Sequence, residues 1–356
     1  MKKTLLISSA LASGIIYSGS ALAQTTVSGS LDLHYKAMSF DGTGAGSVRG
    51  IGRESQLNVQ SKGKLNNGMD YAAGFSLEFD GINGSPIAGN NGNADTNELN
   101  TVSNENVYID IIMGSTTLTM GIDHIQNSTS HSAPFVRNVL DDVAAGYAGM
   151  SATDQIGAKT KEAMAVGIVQ NIPGTGINLS ALYAPQGGST GGTDQVPGSG
   201  ERNSSYEVGF TGTDPFGVKG AKIHYFKNKE DASNSAVTDV EGTTYGVGYN
   251  FGQFALGVDV HKTNRKVKTD TVDSDMKNTM ISGTFAATKD ITLGLVYNKN
   301  DITGTAADEK IKAVQVGYNL GPVVITAEYA DVEGIDGLTA ATASGQQGSV
   351  RLSTKF

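Results

Sequence analysis

Apolar and polar side chains alternate at a period of two along most of this chain. Leu31, Leu33 and Tyr35 alternate with Ser30, Asp32, His34 and Lys36. Tyr71, Ala73, Phe75, Leu77 and Phe79 alternate with Asp70, Ser76, Glu78 and Asp80. The pattern returns in Leu57-Val59, Val107-Ile109-Ile111, Leu118-Met120-Ile122, Tyr245-Val247-Tyr249-Phe251, Phe254-Leu256-Val258-Val260, Val314-Val316-Tyr318-Leu320 and Val323-Ile325-Ala327-Tyr329. Successive side chains of a strand point to opposite faces, so each segment predicts a strand with one apolar and one wet face.

The links between these segments alternate in length. Short links are Asn66-Asn67-Gly68, Gly114-Ser115, Pro173 to Gly176, Thr213 to Gly217, Gly252, Thr288-Lys289-Asp290 and Gly321. Their Gly, Asn and Asp residues suit tight hairpins. Long polar links span about 40–50, 81–100, 125–158, 185–203, 229–241, 266–275, 300–310 and 333–345. Seven short and eight long links predict 16 strands. An even strand count, with short turns on one rim and long loops on the other, predicts an all-β, 16-stranded antiparallel transmembrane barrel. A soluble sandwich or propeller also alternates, but it would bury one face in a dry core. Here that face carries Asp32, Glu54, Asp70, Glu78, Asp110, Asp259 and Glu328, which a dry core would not tolerate unpaired.

One segment departs from period two. Val136, Val139, Leu140 and Val143 fall on one helical face within the longest link, about 125–157. Ser132 is a candidate cap before Pro134, and Gly146 a candidate stop. Folded into the barrel, such a helix would rest its apolar face on the inner wall and turn Arg137, Asn138, Asp141 and Asp142 to the water. Packed on neighbouring loops, it would be surface structure.

The ends of the chain agree with an exported barrel. Lys2 and Lys3 precede an apolar run from Leu5 to Tyr17 that closes at Ala21-Leu22-Ala23. This has the parts of a cleaved secretory signal over residues 1–23, leaving 24–356 as one barrel domain. The run is too short for a membrane-spanning helix of about 20 residues. The last strand alternates up to a terminal aromatic, Phe356.

Charge and composition narrow the chemistry. The chain has 26 basic and 35 acidic residues, and removing Lys2 and Lys3 makes it still more acidic, which argues against a nucleic-acid partner. It has no cysteine and therefore no disulfide or thiolate chemistry. Gly187 to Gly191 matches G-x-S-x-G but lies in a Gly-rich loop, without the strand–turn–helix a nucleophile elbow needs. His34, His124, His131, His224 and His261 are scattered without metal spacing. No catalytic residue, resident cofactor or metal site is expected. Asp270, Asp273 and Asp275, and Asp95 and Glu98, crowd two loops; such acids are usually just solvated. Ca2+ is the ion whose preference for hard oxygen ligands suits them, bridging loops or lipopolysaccharide phosphates. Tyr183, Tyr245, Tyr249, Phe251, Tyr297, Tyr318 and Tyr329 are candidates for interfacial girdles.

Ser55-Gln56-Leu57-Asn58-Val59-Gln60, Gly63-Lys64-Leu65-Asn66-Asn67-Gly68 and Leu77-Glu78-Phe79 resemble the early hairpin of Gram-negative general diffusion porins. Asn106-Val107-Tyr108-Ile109 and Leu118-Thr119-Met120-Gly121 are similar to the next hairpin. The resemblance implies an outer-membrane homotrimer whose third loop narrows each pore, with passive passage of small hydrophilic solutes. It also implies contact with outer-membrane lipid and lipopolysaccharide, and a barrel-assembly machinery that reads Phe356. The family often places Arg or Lys at the positions of Gln56 and Gln60, and Arg at that of Ile122. With those absent, the candidate basic wall is Lys36, Arg53, Lys62 and Arg351; strict alternation from Leu57 would turn Arg53 outward. Fewer bases in a net-acidic chain predict a weak cation preference. A solute-selective porin would need a basic ladder or stacked aromatics, and an adhesin or scaffold would need a plugged lumen.

Overall fold

The structure, a computed structural model, describes residues 24–41, 47–80, 102–122, 124, 164–185, 204–231, 237–267, 274–303, 308–334 and 344–356. The strands among them are β1 (Gln24–Phe40), β2 (Ser47–Lys64), β3 (Asp70–Asp80), β4 (Val102–Met113), β5 (Thr116–Gly121), β6 (Ala165–Ile172), β7 (Ile177–Ala184) and β8 (Ser205–Thr213). They continue as β9 (Ala221–Asp231), β10 (Val237–Phe251), β11 (Phe254–Val267), β12 (Ser274–Ala286), β13 (Ile291–Ile302), β14 (Glu309–Asn319), β15 (Val323–Glu333) and β16 (Gly345–Lys355). Each pairs antiparallel with its neighbours in sequence, and β1 pairs with β16 to close the barrel. Closure leaves no unpaired sheet edge, which is what a hydrocarbon surrounding requires.

The period-two pattern decides which way each residue points. Leu33 and Tyr35 on β1, Val247 and Tyr249 on β10, Leu256 on β11, Leu295 on β13 and Val314 and Val316 on β14 are all exposed. Their alternate neighbours line the inside. Near the short-turn rim, Tyr249, Phe251, Phe254 and Phe285 run in a stacked outward row, with successive centroids 6.2, 5.7 and 4.7 Å apart. This row fits an interfacial girdle. Among the described residues no helix is long and apolar enough to cross a membrane; the strands cross instead.

The short turns close as their residues require. In the β2–β3 turn Gly68 takes a φ of 87° and its N–H donates to the Leu65 carbonyl at 2.9 Å, a conformation open to glycine at little cost. Four of the long links are shorter than the amphipathic pattern predicts. β1 runs to Phe40 and β2 starts at Ser47, β9 runs to Asp231 and β10 starts at Val237, β11 runs to Val267 and β12 starts at Ser274, and β13 runs to Ile302 and β14 starts at Glu309. Backbone pairing continues where both faces become polar, and there alternation carries no signal. Residues 1–23, the helical pattern at 136–143 and the whole 125–157 stretch lie outside the described residues.

Candidate functional site

The inner wall divides into two halves. On β16, β1 and β2 the inward charges Arg351, His34, Lys36, Asp32 and Glu54 keep contact with solvent. Register places them side by side: Arg351 opposes His34 across β16–β1, and Asp32 opposes Glu54 across β1–β2. Lys36 lies one inward step beyond His34. Basic side chains on β16 and β1 thus give way to acidic ones, Asp32 on β1 and Glu54 on β2. Gln56 also opposes Glu78 on β3, extending the acidic side.

Two members of the expected basic wall do not join it. Arg53 opposes Leu33, whose side chain is on the exposed outer face, so Arg53 points outward; two positions away, outward Ile51 is 75% exposed. Lys62 does face inward, but it pairs with Gln24, whereas Lys36 pairs with Gly50. Twelve residues of strand separate the two levels, roughly 40 Å at 3.4 Å per residue, so Lys62 sits at the other mouth. The basic wall therefore reduces to Lys36 and Arg351. Arg137, Asn138, Asp141 and Asp142 lie outside the described residues, as do the G-x-S-x-G stretch, Asp270, Asp273, Asp95 and Glu98.

The other half of the wall, β8 to β15, is tightly packed. Several of its inward polar groups are buried next to one another: Asn228 donates to Glu207 at 2.9 Å, His224 lies 3.2 Å from Asp259, and Gln315 donates to Glu328 at 2.8 Å. The hydrogen bonds to Glu207 and Glu328 offset part of the cost of burying those carboxylates. Beside these groups lies an apolar patch of buried inward side chains, Met38 from β1 with Met280, Val296, Ile311, Ala313, Ala330 and Val332 from β12 to β15.

A further inward cluster joins β2, β4 and β5 at the entry to the longest link. Asp110 accepts from Thr119 at 2.6 Å and lies 3.1 Å from His124. Tyr108 stacks on the His124 ring, and its hydroxyl is hydrogen-bonded by Gln60. His124 is thereby fixed to the wall just before residue 125. Sequence reasoning saw only an unclustered histidine, because the cluster is assembled by register rather than by spacing.

On the outside, beyond the apolar band, a cavity of about 300 Å³ is lined by Lys262, Asn264, Asp275, Lys277, Asp301 and Asp308, among others. Lys262 opposes Lys277 across β11–β12, and Lys299 bridges Asp301 and Asp308 at 2.5 and 2.9 Å. The hydrogen bond from Lys299 holds the Asp308 carboxyl below the usual carboxylate range.

The profile of the family described as Gram-negative porin matches residues 8–337. The chain belongs to that family. As a member it is an outer-membrane β-barrel channel of a Gram-negative bacterium, and its 16-strand barrel agrees with solved porins. OmpT, an outer-membrane protein of Vibrio cholerae in trimer form, superposes with a TM-score of 0.61 at 13% identity, covering 94% of this chain and 99% of that one. A porin structure refined at 1.8 Å gives 0.62 at 16% identity, covering 94% and 100%. A mutant of the Rhodopseudomonas (Rh.) blastica porin gives 0.58 at 13% identity over the same shares. At these identities the likeness is one of fold. Comparison with curated protein sequences gives no match.

Proposed function

We propose that this porin is a general diffusion channel for small hydrophilic solutes and ions, with a weak cation preference and no catalytic activity. The observation that carries the reading is the solvent-accessible charged strip formed by Asp32, His34, Lys36, Glu54 and Arg351 inside a barrel whose outer face is apolar. Passage along such a strip needs no chemistry; lining charges bias the flux. The loss of Arg53 and Lys62 from the basic wall, against Asp32, Glu54 and Glu78 on the acidic side, supports the cation preference.

The segment 125–157 is the proposed constriction loop. The apolar inner-wall patch around Ile311 and Val332 offers a counter-surface for Val136, Val139, Leu140 and Val143, leaving Arg137, Asn138, Asp141 and Asp142 to the water. The protein is exported with removal of residues 1–23, and Gln24 opens the first strand. It assembles as a homotrimer; the trimer form of a structural neighbour supports this. The exposed Phe356 ring is the handle for barrel assembly. The outer cavity supports contact with lipopolysaccharide, its phosphates meeting Lys262 and Lys277 and Ca2+ meeting Asp275, Asp301 and Asp308.

Liposome swelling in isotonic sugars of graded size tests the channel reading: uptake falling steeply with solute size is expected. The buried inward groups of β8 to β15 favour a second reading, a plugged barrel serving as adhesin or scaffold. Absence of swelling with every sugar would select it.

A further inference from the structure

We propose that Asp32, His34 and Glu54 form a divalent-cation site of the Zn2+ class in the lumen wall. Asp32 and His34 are two apart on β1 and so share its inward face, and Glu54 opposes Asp32 on β2. One ligand atom from each lies within 4.8 Å of the other two. An ion at the centre of such a triangle is at most about 2.8 Å from each, against about 2.0–2.2 Å for Zn–N and Zn–O bonds. Closing that gap takes side-chain rotations that move each ligand atom by at most about 0.8 Å.

The backbone holds the ligands in place. β1 pairs on both sides, with β2 and with β16, through continuous register, so two adjacent strands present three ligands without any loop having to order. One imidazole and two carboxylates suit Zn2+ and its neighbours better than Ca2+, which takes oxygen ligands alone. Three protein ligands leave a fourth position, open to the lumen, for water or an anion.

His34, Glu54 and nearby Arg351 each have an interaction partner already, so the metal competes with those contacts. Arg351 opposes His34 and Lys36 lies beyond it. These cations lower the affinity but give occupancy a consequence. A bound dication neutralises the Asp32 and Glu54 carboxylates and leaves Lys36 and Arg351 to dominate the strip, which cancels the cation preference and hinders cation passage.

The purified full-length barrel in detergent, titrated with ZnCl2 by calorimetry, tests the site. One Zn2+ per chain is expected, weakened at least tenfold by H34Q and by E54Q, with the barrel's circular dichroism unchanged. Co2+ added to the unsubstituted protein gives a visible absorption band displaced by Zn2+, a readout that does not depend on any variant folding. Absence of saturable Zn2+ binding, or binding that H34Q leaves unchanged, overturns the proposal. Neither outcome bears on whether the barrel conducts, so the channel reading stands or falls separately.

Discussion

The Phe356 ring lies across the backbone of Gly29: a Cβ placed on Gly29 would meet Phe356 Cε2 and Cζ at 2.6 Å. The same residues exchange both backbone hydrogen bonds, Gly29 N–H to the Phe356 carbonyl at 2.8 Å and Phe356 N–H to the Gly29 carbonyl at 2.9 Å. The seam between first and last strands is therefore sealed through the final residue, and glycine is what lets the ring settle there. Gly29→Ala forces the ring and the Gln56 carbonyl, 2.8 Å from the added carbon, to give way. A loss of about 1–3 kcal/mol is expected, as for other overpacked sites. It would show as a lower unfolding midpoint by circular dichroism in detergent; an unchanged midpoint would refute this close packing.

Arg351 and Arg53 carry the same charge on opposite faces of the wall. Arg351→Gln removes one of two bases on the charged strip and should raise the cation-to-anion permeability ratio by a factor on the order of two. Arg53→Gln should leave the ratio where it was. Reversal potentials across a planar bilayer under a KCl gradient read both. An equal shift from the two variants would mean that Arg53 lines the pore after all.

Neutralising the acidic side should act in the opposite sense. The double change Asp32→Asn with Glu54→Gln leaves Lys36 and Arg351 to dominate, so the preference should move toward anions. The effect should shrink at high salt, where counter-ions screen lining charges within a few ångströms. Persistence of the original cation preference would place the selectivity elsewhere in the lumen.

At the outer rim, Asp308 should titrate below the ordinary carboxylate range because Lys299 donates to it. Its folded-state pKa is depressed, so its pairing contributes fully above the ordinary carboxylate pKa and is lost as pH falls through the depressed value. Lys299→Met should return the midpoint to the ordinary range. Carboxylate NMR on a selectively labelled protein measures the change, and an unmoved midpoint would show that the Lys299 contact is not the cause. The group is exposed, so little change in unfolding midpoint is expected.

Much of the architecture was legible because one rule produces it. A strand facing lipid on one side and water on the other must alternate, so residues such as Leu256 and Val258 announced their direction, and link lengths gave the strand count. Alternation also pointed to the true direction of Arg53, which the basic-wall assignment set aside. Other features depend on register, which a single strand does not encode. Lys62 has the right face but the wrong depth, visible only once Gln24 is known to sit beside it. The Asp110–His124 contact and the Asp32–His34–Glu54 triangle join residues from different strands. The extensions of β9 and β10 beyond the amphipathic band were hidden because nothing there needs to be apolar.

Planar-bilayer recording of the purified protein tests the central claim most directly. Discrete conductance steps are expected, with a reversal potential of weak cation preference and progressive loss of current as polyethylene glycols small enough to enter are added. A membrane that takes up the protein yet shows no steps at any voltage would contradict the account.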